Sequence, residues 1–188
     1  GFAEYHKGDV YNSLAFATPG GDVTIYRKRH LIFWEHYYFR PGNEPLIVQT
    51  ELGRIGFAIC ADMMYDHIWS DYRNRIDVAV VSAAWPGVTE KTTGGVGWML
   101  RPSAGLCDQI PARIAAKLQV PVVFANQSGP CEVRIPMMGP ALPAEFAGRS
   151  AVYDHMGTRL SPGIGGEGVV LAQIGLSKEH ASCVTLSG

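Results

Sequence analysis

The chain has 188 residues, 47% of them hydrophobic and 18% charged, which is typical of a folded globular domain and argues against a disordered segment. Its 16 basic and 17 acidic residues give a net charge of −1, so the charge offers no reason to expect nucleic acid or an anionic membrane as a partner. The longest apolar runs, 78–85 and 120–125, are far shorter than the roughly 20 residues that cross a bilayer. No basic-then-apolar leader opens the chain, and we expect a cytoplasmic protein.

Four cysteines are spread along the chain, at positions 60, 107, 131 and 183. None of them forms a CxxC pair, which argues against a structural zinc site and leads us to expect no bound metal. Their low density also argues against a disulfide scaffold and favours a reducing compartment.

Alternating apolar residues and turn signals predict several strands in the first third of the chain. These strands lie at 2–4, 14–17, 23–28, 46–50 and 54–60. The first two are expected to pair across a turn-rich segment, 5–13, and the last two across a short turn, 51–53. Residues 29–45 are predicted to be an irregular loop rich in aromatic side chains.

Helices and strands are mixed in the rest of the chain. A short helix is predicted over 66–75, and a longer one over 106–119, where Pro111 marks the start or a kink. The remaining predicted elements are strands at 77–81, 121–126, 149–153, 169–174 and 183–186, a glycine-rich loop over 87–97 and a surface excursion over 127–145. This pattern indicates a mixed sheet in a layered α/β fold, and no linker divides residues 1–188, so we expect a single domain.

The strand that ends on Cys60 carries the strongest chemical signal. Ligands commonly bind at the carboxyl ends of strands in α/β sheets, and a thiol there can be a nucleophile if a base and a cation lie near it. Lys28 could supply the cation and, with the backbone N–H of Ala61, stabilise an oxyanion. Glu35 could hold Lys28 in place or share in proton transfer. Considered one at a time, these residues more often have no catalytic role. A buried cysteine usually only packs in the core, and a charged residue in a loop is usually only solvated.

The sequence around these residues resembles the nitrilase, or carbon–nitrogen hydrolase, superfamily. The motifs that carry the resemblance are YRKRHL (26–31), EHYYFRPG (35–42), GRIGFAICAD (53–62), SAAWP (82–86), VPVVFANQSG (120–129) and FAGRSAVYDHMG (146–157). The resemblance covers essentially the whole chain and implies a four-layer αββα sandwich. It also implies a catalytic Glu-Lys-Cys triad supported by a second Glu, with Lys28 as the lysine, Cys60 as the nucleophile and Glu35 as the second glutamate.

The chain departs from the family pattern at its front. In the family, the first catalytic Glu lies upstream of the segment that Gly1–Glu4 matches, and Glu4 is expected to have a structural role instead. We therefore expect that the N-terminal part of the domain is missing and that the chain is a fragment of a longer protein. The family's usual Pro after the cysteine motif is also absent at Tyr65-Asp66, which suggests a less common branch.

The resemblance implies a hydrolase that cleaves a non-peptide C–N bond, in an amide or a carbamoyl group, through a thioester on Cys60. The Cys-x-Asp form of residues 60–62 is typical of amide-cleaving branches rather than of nitrilases. The implied partners are a small amide and water, without a cofactor, and the implied assembly is a homodimer or larger homo-oligomer. The alternatives are a non-catalytic binding or assembly subunit with the same fold, nitrile hydrolysis, and a transferase or synthetase-coupled glutaminase with an extra domain.

Four further residues are candidates for the substrate pocket. Trp85 closes a predicted strand beside the expected pocket and fits a substrate wall or the core equally well. His30 follows the lysine strand, where a hydrogen-bonded structural role is the commoner one. Asp62 more often caps the turn after Cys60, and Tyr38 could shape substrate entry or a subunit contact.

Overall fold

The computed structural model of the protein describes residues 1–87, 105–133, 142–162 and 167–176. The strands in these ranges are β1 (Phe2–His6), β2 (Asp9–Ala17), β3 (Val23–Arg27), β4 (Ile47–Thr50), β5 (Gly53–Ile59), β6 (Val78–Ala83), β7 (Pro86–Gly87), β8 (Val122–Asn126), β9 (Ser128–Val133), β10 (Leu142–Ala147) and β11 (Ala151–Tyr153). The helices are α1 (Asp66–Ser70), α2 (Leu106–Leu118) and two 3₁₀ helices, Glu35–Tyr37 and Cys60–Met64.

A five-stranded sheet with the order β11-β8-β6-β5-β4 forms the centre of the fold. Its three middle strands, β5, β6 and β8, run parallel, and the two outer strands pair antiparallel. The continuous apolar run of β6 suits a strand that is covered on both faces. Because the parallel strands end at the same edge, Cys60 lies beside the ends of β6 and β8, where Ala83 pairs with Asn126. That edge is where ligands commonly bind in such sheets.

The sheet is covered by helices on one face and by a second sheet on the other. On the helical face, Trp69 of α1 and Ile114 of α2 pack in a core cluster with Val81 and Phe124 of the sheet. On the opposite face, the antiparallel sheet β1-β2-β3 contributes Leu14 and Tyr26 to a smaller cluster with Phe57 and Ile59. The layers therefore follow one another as helix, sheet and sheet, in the order expected of an αββα sandwich.

Two segments that were predicted to be irregular contain strands. The predicted turn over 5–13 is wrong in extent, because the hairpin turns at Lys7 and Gly8, both with positive φ, and His6 already pairs with Asp9. The surface excursion predicted over 127–145 is also wrong in its described parts, because β9 and β10 lie there and pair antiparallel with each other, while residues 134–141 lie outside the described ranges. Gly, Pro, Asp and Asn residues concealed these strands, since all four residue types are depleted in sheets.

Other differences concern where elements end. The predicted helix over 66–75 stops at Ser70 and continues as turns, with Tyr72 N–H donating to Trp69 O at 3.1 Å. Pro111 lies inside α2 rather than at its start. Residues 169–174 form no strand in the structure. The predicted strand at 183–186 and residues 88–97 of the glycine-rich loop lie outside the described ranges.

Candidate active site

Cys60 sits on a sharp turn at the end of β5. The backbone is extended at Ile59, with φ −116°, and switches to the left-handed region at Cys60, with φ +49°. Residues other than glycine rarely adopt this conformation, which costs of order 1–3 kcal/mol and is concentrated at functional sites. The turn presents the partly exposed Cys60 at the sheet edge.

Lys28 follows the last residue of β3 and is fixed by its backbone and its side chain. Its N–H donates to Asn12 O at 2.8 Å, and its C=O accepts from the N–H of Gly42 at 2.8 Å. Glycine is required at position 42, because a Cβ there would lie 2.4 Å from Arg27 O. The Lys28 side chain is only 1% exposed, and its ammonium donates to Glu35 Oε2 at 2.6 Å.

Glu35 receives three hydrogen bonds, which occupy both of its carboxylate oxygens. Oε2 accepts from Lys28 Nζ and, at 2.8 Å, from the backbone N–H of Ile32, while Oε1 accepts from Asn12 Nδ2 at 3.1 Å. Asn12 thus contacts Glu35 through its side chain and Lys28 through its carbonyl. The three residues form one connected network that holds the ammonium in place.

The environment of Cys60 disfavours a resting thiolate. Burial is the largest influence and raises the pKa of the Cys60 thiol. The positive charge of Lys28 and the backbone N–H groups of Ala84 and Ala61 act in the opposite direction, and Glu35 adds a smaller upward influence. Attack by this sulfur therefore needs a base that accepts the thiol proton when substrate is bound.

One cavity of about 830 Å³ brings the predicted catalytic residues together, because Lys28, Glu35 and Cys60 all line it. Ala61 lines it as well, beside the sulfur. Much of the remaining wall is aromatic and consists of Phe2, Phe33, Trp34, Tyr38, Phe39, Trp85 and Phe146. Concave, mostly apolar cavities with a few convergent polar groups are the usual form of small-molecule sites.

Two of the four pocket candidates, Tyr38 and Trp85, lie on this cavity, and the other two do not. His30 is outside the cavity lining, and its ring stacks on Tyr65 with 3.3 Å between ring centroids. Asp62 is 0% exposed and is also outside the lining, which corrects its assignment to the pocket. Its alternative role as a cap is confirmed, since Asp62 Oδ2 accepts from the N–H of Ile59 at 3.0 Å.

Sequence reasoning missed several residues of the cavity. Asn12 was hidden in the segment assigned to a turn, although its place in β2 sets it beside Glu35. Cys131 and Glu132 of β9 line the same cavity, in a region that was interpreted as a surface excursion. No motif marks these three positions, and only the correct pairing of β2 with β3 and of β9 with β10 could have revealed them.

Among the described residues, no group of three or more His, Cys, Asp or Glu side chains is arranged to hold a metal ion. The helices in the same ranges are also too short or too polar for any of them to span a membrane.

The chain belongs to the carbon–nitrogen hydrolase family, whose model matches residues 1–181. It is 36% identical over 77 residues to the omega-amidase YafV of Escherichia coli (strain K12), a match that covers 40% of this chain and 30% of that protein. It is 43% identical over 63 residues to an (R)-stereoselective amidase of Pseudomonas sp., covering 34% of this chain and 23% of the amidase.

Solved structures of the family share the fold. A carbon–nitrogen hydrolase from Helicobacter pylori G27 superposes with a TM-score of 0.74 at 21% identity over 92% of this chain. A carbon–nitrogen hydrolase superfamily protein from Xanthomonas campestris gives a TM-score of 0.69 at 24% identity over 91% of this chain. In both cases this chain spans 59% of the length of the solved protein.

Proposed function

We propose that the protein hydrolyses the C–N bond of a small amide, with Cys60 as the nucleophile. The observation that carries the proposal is the buried ion pair of Lys28 and Glu35 on the same cavity as the cysteine at the sheet edge. Burial of an ammonium costs free energy even when it is paired with a carboxylate, so its retention here suggests a function. A cation beside a thiol favours both the thiolate and a developing oxyanion. The similarity to an omega-amidase and to an (R)-stereoselective amidase supports an amide as substrate.

The reaction proceeds in two halves. A base takes the thiol proton as the Cys60 sulfur attacks the amide carbon, a C–S bond forms, and the carbonyl oxygen becomes an oxyanion beside Lys28 and the N–H of Ala61. The carbonyl then re-forms as the C–N bond breaks, the base gives its proton to the leaving nitrogen, ammonia or an amine departs, and a thioester remains. Water gives a proton to the base as it attacks the thioester, the C–S bond breaks, and that proton returns to the sulfur, so the carboxylic acid leaves with Cys60 restored as a thiol.

Glu35 positions Lys28 in this scheme and is not the base. Its two oxygens are committed to Lys28, Asn12 and the N–H of Ile32, which leaves it poorly placed to take the Cys60 proton. The proposed base is the first glutamate of the Glu-Lys-Cys triad that the family resemblance implies. A homodimer or larger assembly and a cytoplasmic location remain predictions.

The proposal is tested by ammonia release from a panel of small primary amides, butyramide among them, with the full-length protein. Cys60→Ala is expected to lose activity by at least about a thousandfold, because the covalent route is removed. Cys131→Ala removes a second thiol that lines the cavity and is the matched control, expected to stay within about tenfold of wild type. Undiminished hydrolysis by a folded Cys60→Ala variant would contradict the proposal. Wild-type protein that cleaves no amide would favour the non-catalytic alternative.

A further inference from the structure

Asp62 lies between the segment that carries Lys28 and the turn that carries Cys60. Its Oδ1 accepts from the backbone N–H groups of Arg29, at 3.2 Å, and His30, at 2.7 Å. Its Oδ2 accepts from Tyr26 Oη at 2.8 Å and from the N–H of Ile59 at 3.0 Å. All four donors lie within two residues of either Lys28 or Cys60.

A local cap explains only one of these four hydrogen bonds. The bond from Ile59 closes the turn within three residues, whereas the bonds from Tyr26, Arg29 and His30 come from residues 32 to 36 positions away in the sequence. A carboxylate with 0% exposure is costly to bury, and burial raises the pKa of Asp62. Four donors offset that cost by filling both oxygens, and they tie two separate segments to one rigid group.

We propose that Asp62 is a positioning residue that fixes the ammonium of Lys28 relative to the sulfur of Cys60. This inference rests on the proposed function for the catalytic use of Lys28 and Cys60. The geometry that it explains does not depend on the substrate. We call these four hydrogen bonds the clamp. No other hydrogen bond among the described residues joins the ends of β3 and β5, so without the clamp packing alone would connect them near the site. Lys28 could then move away from the sulfur, while its pair with Glu35 stays intact.

The charges around both groups determine the sign of the expected effect. Cys60 faces the cation of Lys28, the carboxylate of Glu35 and the thiol of Cys107. Asp62 faces Lys28, Arg29, His30, Tyr26 and Tyr72. If Lys28 moves away, the pKa of the Cys60 thiol rises. Removal of the Asp62 negative charge alone would lower the thiol pKa or leave it unchanged, so the direction separates positioning from a direct charge effect.

The test is the pH dependence of Cys60 alkylation by iodoacetamide in Asp62→Asn, read on the Cys60 peptide by mass spectrometry. An amide accepts hydrogen bonds at one atom only, so two of the four donors lose their acceptor at nearly unchanged volume. We expect the apparent thiol pKa to rise by about one unit and the rate at pH 7 to fall about tenfold. An unchanged or lowered thiol pKa in folded Asp62→Asn would overturn the proposal.

Asp77→Asn is the matched control. Asp77 also binds a backbone N–H, that of Arg54 at 2.7 Å, together with the Arg54 guanidinium, but at the opposite end of β5. This variant should lower the stability of the fold and leave the pH dependence of Cys60 alkylation unchanged. An equal rise of the apparent thiol pKa in Asp77→Asn would mean that the rise in Asp62→Asn reflects only lost stability, which would overturn the proposal. Tyr26→Phe removes one donor and carries the test if Asp62→Asn does not fold, with an expected rate at pH 7 about threefold lower than wild type. An unchanged Tyr26→Phe profile would then overturn the proposal.

The readout is the thiol itself and needs no substrate. A wild-type protein without amidase activity would overturn the proposed function and leave the clamp standing. If the wild type is an amidase but the apparent thiol pKa of Cys60 is unchanged in Asp62→Asn, the clamp is overturned and the proposed function stands.

Discussion

Lys28 Nζ lies 2.6 Å from Glu35 Oε2, and the side chains are only 1% and 12% exposed, respectively. A buried ion pair is weak evidence for stability, because desolvation of both charges offsets much of their attraction. This pair also lies on the cavity that holds Cys60, where its cation acts on the sulfur. We therefore propose a chemical role for the pair as well as a structural one, and the two roles are separable by mutation.

The chemical use of Lys28 is tested by Lys28→Gln. Loss of the ammonium removes one oxyanion donor, so kcat for amide hydrolysis should fall about 10²–10³-fold in steady-state assays. Lys117→Gln is the matched control, because Lys117 pairs with Asp66 at 2.8 Å on the surface. Equal losses in both variants would contradict a catalytic role for Lys28.

The structural use of the pair is tested by Glu35→Gln. This variant leaves the Lys28 charge buried without its anionic partner, so the free energy of unfolding should fall by about 3 kcal/mol, measured by urea denaturation. Glu44→Gln changes an exposed glutamate in the same loop and should lie within about 0.5 kcal/mol of wild type. A Glu35→Gln variant as stable as wild type would mean that the ammonium finds another acceptor.

The loop that follows Glu35 constrains Lys28 through Gly42. In Gly42→Ala, the new Cβ would lie 2.4 Å from Arg27 O and 2.7 Å from Arg27 Cβ, so the backbone must move. We expect a loss of about 1–3 kcal/mol in the free energy of unfolding. Activity should also fall, because Gly42 N–H binds Lys28 O. Gly20→Ala is the control, since its nearest atom would be 3.7 Å from the new Cβ, and an equal loss there would refute the steric explanation.

Glu4 contributes stability that depends on pH. The hydrogen bonds from Arg27, the first cause, lower the pKa of Glu4 from 4.5 to about 2. A lowered acid pKa stabilises the fold fully above about pH 4.5, and this contribution is lost as pH falls towards 2. The difference in unfolding free energy between wild type and Glu4→Gln should therefore be constant from about pH 7 to 5 and shrink below that range.

Chemical denaturation at several pH values measures this difference. Arg27→Gln removes the partner of Glu4, whose two oxygens accept from Arg27 at 2.8 and 2.6 Å. The difference in unfolding free energy between wild type and Arg27→Gln should therefore depend on pH in the same way. A difference that stays constant down to about pH 2 would show that the pair does not set the Glu4 pKa.

The sequence predicted the proximity of the three proposed catalytic residues better than it predicted the walls of the cavity around them. Lys28, Glu35 and Cys60 belong to motifs with ordered spacing, and the structure places all three on one cavity. The periodicity of the second helix was also sufficient, since Ile110, Ile114 and Leu118 are all buried in α2. These features depend on local pattern, which is visible in a single chain.

The features that the sequence could not predict depend on long-range pairing. The clamp at Asp62 uses backbone N–H groups of Arg29 and His30, and a backbone donor leaves no mark on residue identity. Asn12 reaches Glu35 because β2 pairs with β3 in the register that sets Ser13 opposite Arg27, which the composition of residues 5–13 does not reveal. Cys131 enters the cavity through the pairing of β9 with β10 in a stretch rich in Gly and Pro.

Mass spectrometry of the intact full-length protein, mixed with a small amide and quenched in acid within a turnover, tests the central claim most directly. The account predicts an added mass equal to the acyl group, located on the Cys60 peptide, absent in Cys60→Ala and retained in Cys131→Ala. Hydrolysis at an undiminished rate with no acyl group on Cys60, or with the acyl group on another residue, would contradict it.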